Sequence, residues 1–205
     1  MIWRTSRRAF DLTQRGVIMG VINVTPDSFS DGGAFGDAET AVAHGLRLVD
    51  EGAEILDIGG ESTRPGSQAV PLDEELRRVI PVIEKLAERT SAALSIDTSK
   101  AEVARAAMQA GAEIINDVTA LRGDEATTAV AGETGAGVIL MHMRGTPRTM
   151  QKDPHYDDVV REVADFLRER LAAARSAGID ADKLAVDPGI GFGKTVEHNL
   201  QLIAA

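Results

Sequence analysis

The chain has 205 residues, a formal net charge of −10, 43% hydrophobic residues and only 3% aromatic ones. That length supports one domain, residues 1–205, and the aliphatic bias suits the Val-, Ile- and Leu-rich strands of a parallel sheet. The charge excludes a broad basic nucleic-acid surface, so an anionic ligand must meet local cations or a metal; with no cysteine, disulfides and thiolate-bound zinc are excluded, and a reducing, cytoplasmic setting is expected.

Residues 1–16 are interrupted by charges and contain no signal-peptide core. The apolar stretch at 17–24 is far too short to span a bilayer, so no membrane association is expected. It predicts a strand ending in Asn23. A helix follows over 38–51, with Ala41, Val42, Gly45, Leu46 and Val49 at helical spacing. The next strand ends in Asp57. The pattern Leu72, Leu76, Val79, Ile80, Ile83, Leu86 predicts a helix over 72–89, and Pro81 inside it predicts a kink or a helix proper that starts near the proline. A strand ending in Asp97 precedes Ser99-Lys-Ala-Glu102, which reads as a capping box opening a helix through about residue 110. Strands then end in Asn116-Asp117 and in Met141-His142. A long helix over 157–177 stops at Gly178, a strand ends in Asp187, and a last helix starts near 197.

Gly52-Ala-Glu-Ile55 and Gly111-Ala-Glu-Ile114 are near copies, echoed by Gly135-Ala-Gly-Val138. Repeated helix–Gly–strand joints imply repeated βα units on a parallel sheet. A doubly wound fold needs a Gly-rich turn after its first strand, whereas here a long polar loop follows. Polar residues at the ends of many successive strands instead predict a closed ring. The expected fold is therefore an α/β barrel of the TIM type, (β/α)8, with about the first six βα units in this chain; such barrels usually need about 250 residues.

In parallel α/β folds, ligands bind at the C-terminal strand ends. Asp97, Asn116 and Asp187 project inward from different strands. A carboxylate accepts from a pair of adjacent N–H donors and an amide both donates and accepts, which suits a planar amino-pyrimidinone edge of the kind guanine or a pterin carries. The alternative for any one of them is a cap on the following turn. Asn23 opens the loop Asn23-Val-Thr-Pro-Asp27-Ser-Phe29-Ser-Asp-Gly-Gly33 and offers a carbonyl oxygen suited to Mg²⁺. In Gly59-Gly-Glu-Ser-Thr63-Arg64-Pro65-Gly66, paired glycines allow close backbone approach and Arg64 suits a phosphate or carboxylate. The segment Asp187-Pro-Gly-Ile-Gly-Phe192-Gly-Lys194-Thr195 fails the nucleotide P-loop pattern, because Pro188 stands where its first glycine must be. Its glycines leave room for a flat ligand, with Phe192 as an apolar wall. His44, His142, His155 and His198 have no ligand-like spacing and read as structural or surface residues, and the sequence gives no grounds for a Ser–His–Asp arrangement.

These segments, with Ser95-Ile-Asp-Thr-Ser99 and Leu140-Met-His-Met-Arg-Gly145, resemble the dihydropteroate synthase family of pterin-binding enzymes, in the family's order and over nearly the whole chain. The resemblance implies a Mg²⁺-dependent condensation of 6-hydroxymethyl-7,8-dihydropterin diphosphate with p-aminobenzoate, giving 7,8-dihydropteroate and pyrophosphate for folate synthesis, without a covalent enzyme intermediate. It implies that Asp97, Asn116 and Asp187 hold the pterin with Met141 packed in the same pocket. It further implies that Asn23 binds the Mg²⁺–diphosphate, that Thr63 and Arg64 contact the diphosphate side, and that Phe29, Pro65 and Phe192 line the p-aminobenzoate side. In that family two further units carry a Lys and an Arg-x-His, and terminal helices form a homodimer. The sequence read here stops before them, so an open barrel is expected, and a non-catalytic pterin-binding module is the alternative. A methyltetrahydrofolate-dependent methyltransferase domain is the third reading; the Thr63-Arg64-Pro65 loop argues against it.

Overall fold

A computed structural model describes residues 1–25, 33–62, 69–146 and 148–205, with the backbone alone for 33–37. Strands β1 (Ile2–Arg4) and β2 (Ala9–Asp11) form an antiparallel hairpin. Then come β3 (Met19–Asn23), α1 (Gly33–Asp50), β4 (Ile55–Gly59), α2 (Leu72–Arg89), β5 (Ala93–Asp97), α3 (Ala101–Ala110), β6 (Ile114–Asp117), α4 (Ala126–Thr134), β7 (Gly137–Met141), α5 (Val159–Ser176), β8 (Leu184–Asp187) and α6 (Val196–Ala204). Strands β3 to β8 lie side by side in sequence order, every pair parallel. This is the succession of six βα units of a TIM-type barrel, as expected. Among the described residues no helix is long and apolar enough to cross a membrane.

Strand alternation divides the sheet into two faces. The outer face carries Ile22, Leu56, Ile58, Leu94, Ile96, Ile115, Val138 and Leu140. All are buried beneath α1 to α5 in one apolar cluster with Val79, Ile83 and Leu86 of α2. The lower part of the inner face carries Ile55, Ala93 and Ile114, which pack with Trp3 of the hairpin. Here the N-terminal hairpin seals the bottom of the sheet. Trp3 stacks on Phe10 at 5.7 Å between centroids and donates Nε1–H to the Lys183 carbonyl at 3.0 Å. Glu113, buried just before β6, accepts from Arg8 Nε (2.9 Å) and Nη2 (2.5 Å) and from Thr5 Oγ1 (2.7 Å). The hairpin has no counterpart in the sequence reading, because charged residues obscure its apolar pair.

Four local expectations change. Strand β4 does not stop at Asp57 but runs on to Gly59, so Asp57 lies one layer inside the sheet instead of at a strand end. Helix α2 continues through Pro81, so it does not start there; its core contacts through Val79, Val82, Ile83 and Leu86 outweigh one missing N–H. The Ser99 capping box does not form: α3 begins after Lys100, and Asp124 Oδ2 caps it by accepting from the Ala101 N–H at 3.0 Å. Helix α1 begins earlier than its apolar pattern, at Gly33.

Replacing Arg8 with alanine strips Glu113 of its charged partner. Breaking a buried pair costs roughly 3–5 kcal/mol, less here because Arg8 is partly solvated. A loss of about 2 kcal/mol in urea unfolding is expected, with no change in the secondary-structure content of the native state.

Candidate active site

The register brings the expected polar residues to one level. Asn23 of β3 pairs with Gly59 of β4, Gly59 with Asp97 of β5, and Asp97 with Asn116 of β6; farther along, Met141 pairs with Asp187. Alternation puts Asp97, Asn116, Met141 and Asp187 on the inner face, opposite the helices. Asn116 and Asp117, adjacent in sequence, therefore do different work. Asp117 points toward the helices and is fully buried. Its carboxylate accepts from the Thr119 N–H (2.7 Å), the Thr119 hydroxyl (2.7 Å) and the Leu121 N–H (3.0 Å), which shapes the turn after β6.

Asp97 receives no hydrogen bond from any described residue. Burial holds its carboxyl well above the usual carboxylate range, and the charges of Asp57, Asp117, Glu75 and Glu61 add to this. Asp57 is also pushed up, first by burial, then by Asp187, against the opposing effects of Ser95 and Asn116. Asn116 Nδ2 donates to Asp57 Oδ2 at 2.9 Å. A cavity of about 100 Å³ opens beside Asp97, walled by Glu61, Glu75, Thr98, Thr119 and Met143. A larger one of about 700 Å³ lies at the opposite end by Trp3, Leu12 and Met19. Its lining is mainly apolar, with Arg15 and Arg175 but no carboxylate or amide side chain, so the rim is the better candidate.

Asp187 Oδ1 accepts from the Gly189 N–H at 2.7 Å and starts the turn that carries Phe192. Gly189, Gly191 and Gly193 all have left-handed backbones, with φ of 66°, 85° and 63°. A Cβ on Gly189 would stand 2.0 Å from the His142 carbonyl oxygen, so only glycine fits. Lys194, 3% exposed, closes the turn: its Nζ donates to the carbonyls of Gly189 and Phe192, both at 2.9 Å, and lies 3.0 Å from His142 Nδ1. This lysine holds its own loop and does not face a nucleotide phosphate, in agreement with the rejected P-loop. His142 is a buried structural residue, as read. Burial, then the Lys194 charge, push it down to about 4, while burial pushes Lys194 down to about 8. Phe192 packs on the cluster of Met141, Met143 and Met150, which makes an apolar wall beside Asp187.

Asn23 ends β3 with its side chain exposed at the rim. Phe29, Thr63, Arg64 and Pro65 lie outside the described residues. Sequence reasoning missed Glu75. It is fully buried on α2, accepts from Thr98 Oγ1 at 2.6 Å and pairs with Lys100, which also reaches Glu61 Oε2 at 2.5 Å. The signal was a carboxylate three residues after Leu72 and four before Val79, inside an apolar stripe.

A ring of inward carboxylates and amides above the apolar floor of a parallel βα sheet defines an enzyme-type ligand site at the strand C-termini. The chain belongs to the pterin binding enzyme family, whose model matches residues 19–205. It is 51% identical over 187 residues to the dihydropteroate synthase of Escherichia coli K12, covering 91% of this chain and 66% of that protein. It is 42% identical over 199 residues to that of Bacillus subtilis, covering 97% and 67%. The chain thus spans about two thirds of the length of these curated relatives. Xanthomonas albilineans dihydropteroate synthase with 4-aminobenzoic acid superposes with a TM-score of 0.91 at 55% identity, over 99% of this chain and 71% of that one. The same enzyme in complex with 7,8-dihydropteroate gives 0.86 at 51% identity, over 100% and 71%.

Because His142 is held neutral, the unfolded chain takes up a proton between pH 6.5 and about 4 that the fold refuses. Stability contributed at this residue falls as pH drops through that window. His142→Gln is expected to flatten this part of the stability–pH curve relative to the parent, measured by urea unfolding at half-unit pH steps. Gly189→Ala, which drives a methyl into the His142 carbonyl, is expected to lower stability by about 3 kcal/mol or more.

Proposed function

We propose that this chain carries the pterin-reading part of a dihydropteroate synthase and acts in the condensation of 6-hydroxymethyl-7,8-dihydropterin diphosphate with p-aminobenzoate. The observation that carries the reading is Asp97: a carboxylate at the C-terminal end of β5 with no described donor, level with Asn116 and beside a cavity. Such a group is completed by a ligand that brings adjacent N–H donors. The similar enzymes solved with 4-aminobenzoic acid and with 7,8-dihydropteroate supply the two halves of the chemistry.

In this reading Asp97, Asn116 and Asp187 hold the pterin edge-on, and Met141 supplies its apolar contact. The C–O bond between the pterin methylene and diphosphate breaks, positive charge spreads into the ring, and the nearby carboxylates stabilise it. The arylamine nitrogen forms the new C–N bond and releases a proton to solvent. Thr63 and Arg64 would meet the diphosphate, and Phe29, Pro65 and Phe192 would flank the arylamine. Asn23 fits a role at Mg²⁺: it presents a hard oxygen at the exposed rim, and this ion keeps waters and phosphate oxygens as its other ligands. Among the described residues no group of three or more His, Asp or Glu would hold a metal by itself, so substrate oxygens would complete the shell. When bound, Mg²⁺ neutralises charge on the leaving diphosphate.

Isothermal titration with the pterin diphosphate in Mg²⁺, beside an assay of dihydropteroate formation, tests this reading. Asp97→Asn is expected to weaken pterin binding by roughly 100-fold, the scale of hydrogen bonds to a charged group. Equal affinity and turnover in parent and variant would remove Asp97 from the site.

A further inference from the structure

One layer below the rim, two polar groups take no part in the scheme above. Asp57 (4% exposed) and Ser95 (0% exposed) are register partners on β4 and β5. Asp57 Oδ1 and Ser95 Oγ are both buried without a hydrogen-bond partner of full geometry, although Ser95 lies close enough to Asp57 to favour its charged form against burial. Buried polar atoms are seldom left so without a purpose. The other oxygen of Asp57 accepts from Asn116 Nδ2 at 2.9 Å, reaching from β4 past β5 to β6. Directly above Asp57 on its own strand, Gly59 has no side chain, and a Cβ there would stand 3.5 Å from Asp97 Oδ2.

We propose that Asp57 is a positioning residue that sets the hydrogen-bonding polarity of Asn116, and through it the pattern of ring donors and acceptors that the site admits; the proposal rests on the pterin-binding reading above. An amide presents oxygen or nitrogen with almost the same shape, so shape alone does not orient it. Asp57 breaks that symmetry. With Oδ2 accepting from Nδ2, the amide nitrogen is tied toward β4, and the carbonyl oxygen is left to the ligand. Turning the amide over would set oxygen against oxygen in an enclosed place, where such mismatches are costly. Asp57 touches no substrate in this scheme and acts through Asn116 alone.

Asp57→Asn keeps the shape of the side chain but lets it donate as well as accept, so Asn116 loses its fixed direction. The probes are 6-hydroxymethylpterin, its lumazine analogue with oxygen in place of the amino group, and its 2,4-diamino analogue. The parent is expected to prefer the pterin over both. In Asp57→Asn at least one preference should fall by about tenfold, the scale of one hydrogen bond. A merely structural defect would weaken all three ligands alike. In an Asn116→Ala background the Asp57 substitution should leave the preferences where they stand. Unchanged preferences in Asp57→Asn, or an equal change without Asn116, would overturn the proposal. Failure of the parent to bind any pteridine would instead overturn the functional reading. The ¹⁵N side-chain amide spectrum of the free protein decides the positioning independently: one Asn116 proton should lie downfield in the parent and lose that shift in Asp57→Asn, and identical spectra would refute it.

Discussion

A carboxylate taken out of water must gain donors or keep a proton, and the architecture of this protein is arranged around that demand. Among the described residues, Asp57, Glu75, Glu113 and Asp117 are buried. Glu113 is fully answered by Arg8 and Thr5, Asp117 by the turn that follows it, and Glu75 by Thr98 and Lys100. Asp57 is half answered, by Asn116, and Asp97 not at all. The satisfied groups brace turns and elements around the sheet. The unsatisfied ones lie on its inner face, near the C-terminal strand ends. That gradient, more than the presence of acidic residues, separates a binding site from structural polarity.

Much of this was legible because the inner and outer faces of a parallel sheet have different needs. The outer face is buried along its length, so runs such as Ile55-Leu56 and Ile114-Ile115 read as strands. The polar residue that ends each run marks the rim, which located Asn23, Asp97, Asn116 and Asp187. The same rule misplaced Asp57. An inward position partway along a strand can be polar, and the glycine that finishes β4 looks like the start of a loop. Periodicity was silent on α4, whose apolar residues do not gather on one side, and on the N-terminal hairpin, whose Trp3 and Phe10 meet only after the chain reverses. The Ser99 cap was a reasonable local pattern overridden at longer range by Asp124, which no local spacing announces.

The glycines of the last loop show how a flat apolar wall is built from very little chain. Three left-handed residues within five positions turn the backbone tightly enough to lay its carbonyls around one ammonium group. Lys194 and His142 then fasten the loop to the end of β7, so Phe192 and Met141 share one cluster. Position and chemistry are separated here: the charged residue fixes the frame, and an uncharged one faces the site.

The hairpin that closes the bottom of the sheet has a consequence for how the molecule folds. Trp3 is held by a carbonyl 180 positions away, and Thr5 by a carboxylate 108 positions away. Contacts of such separation form only after large loops have closed, so this hairpin should be among the last elements to dock. Until the hairpin docks beside β8, the lower core formed by Ile55, Ala93 and Ile114 lacks its Trp3 cover. Trp3 is also the sole tryptophan. Its intrinsic fluorescence therefore reports on the sealing of the sheet and hardly at all on events at the distant rim.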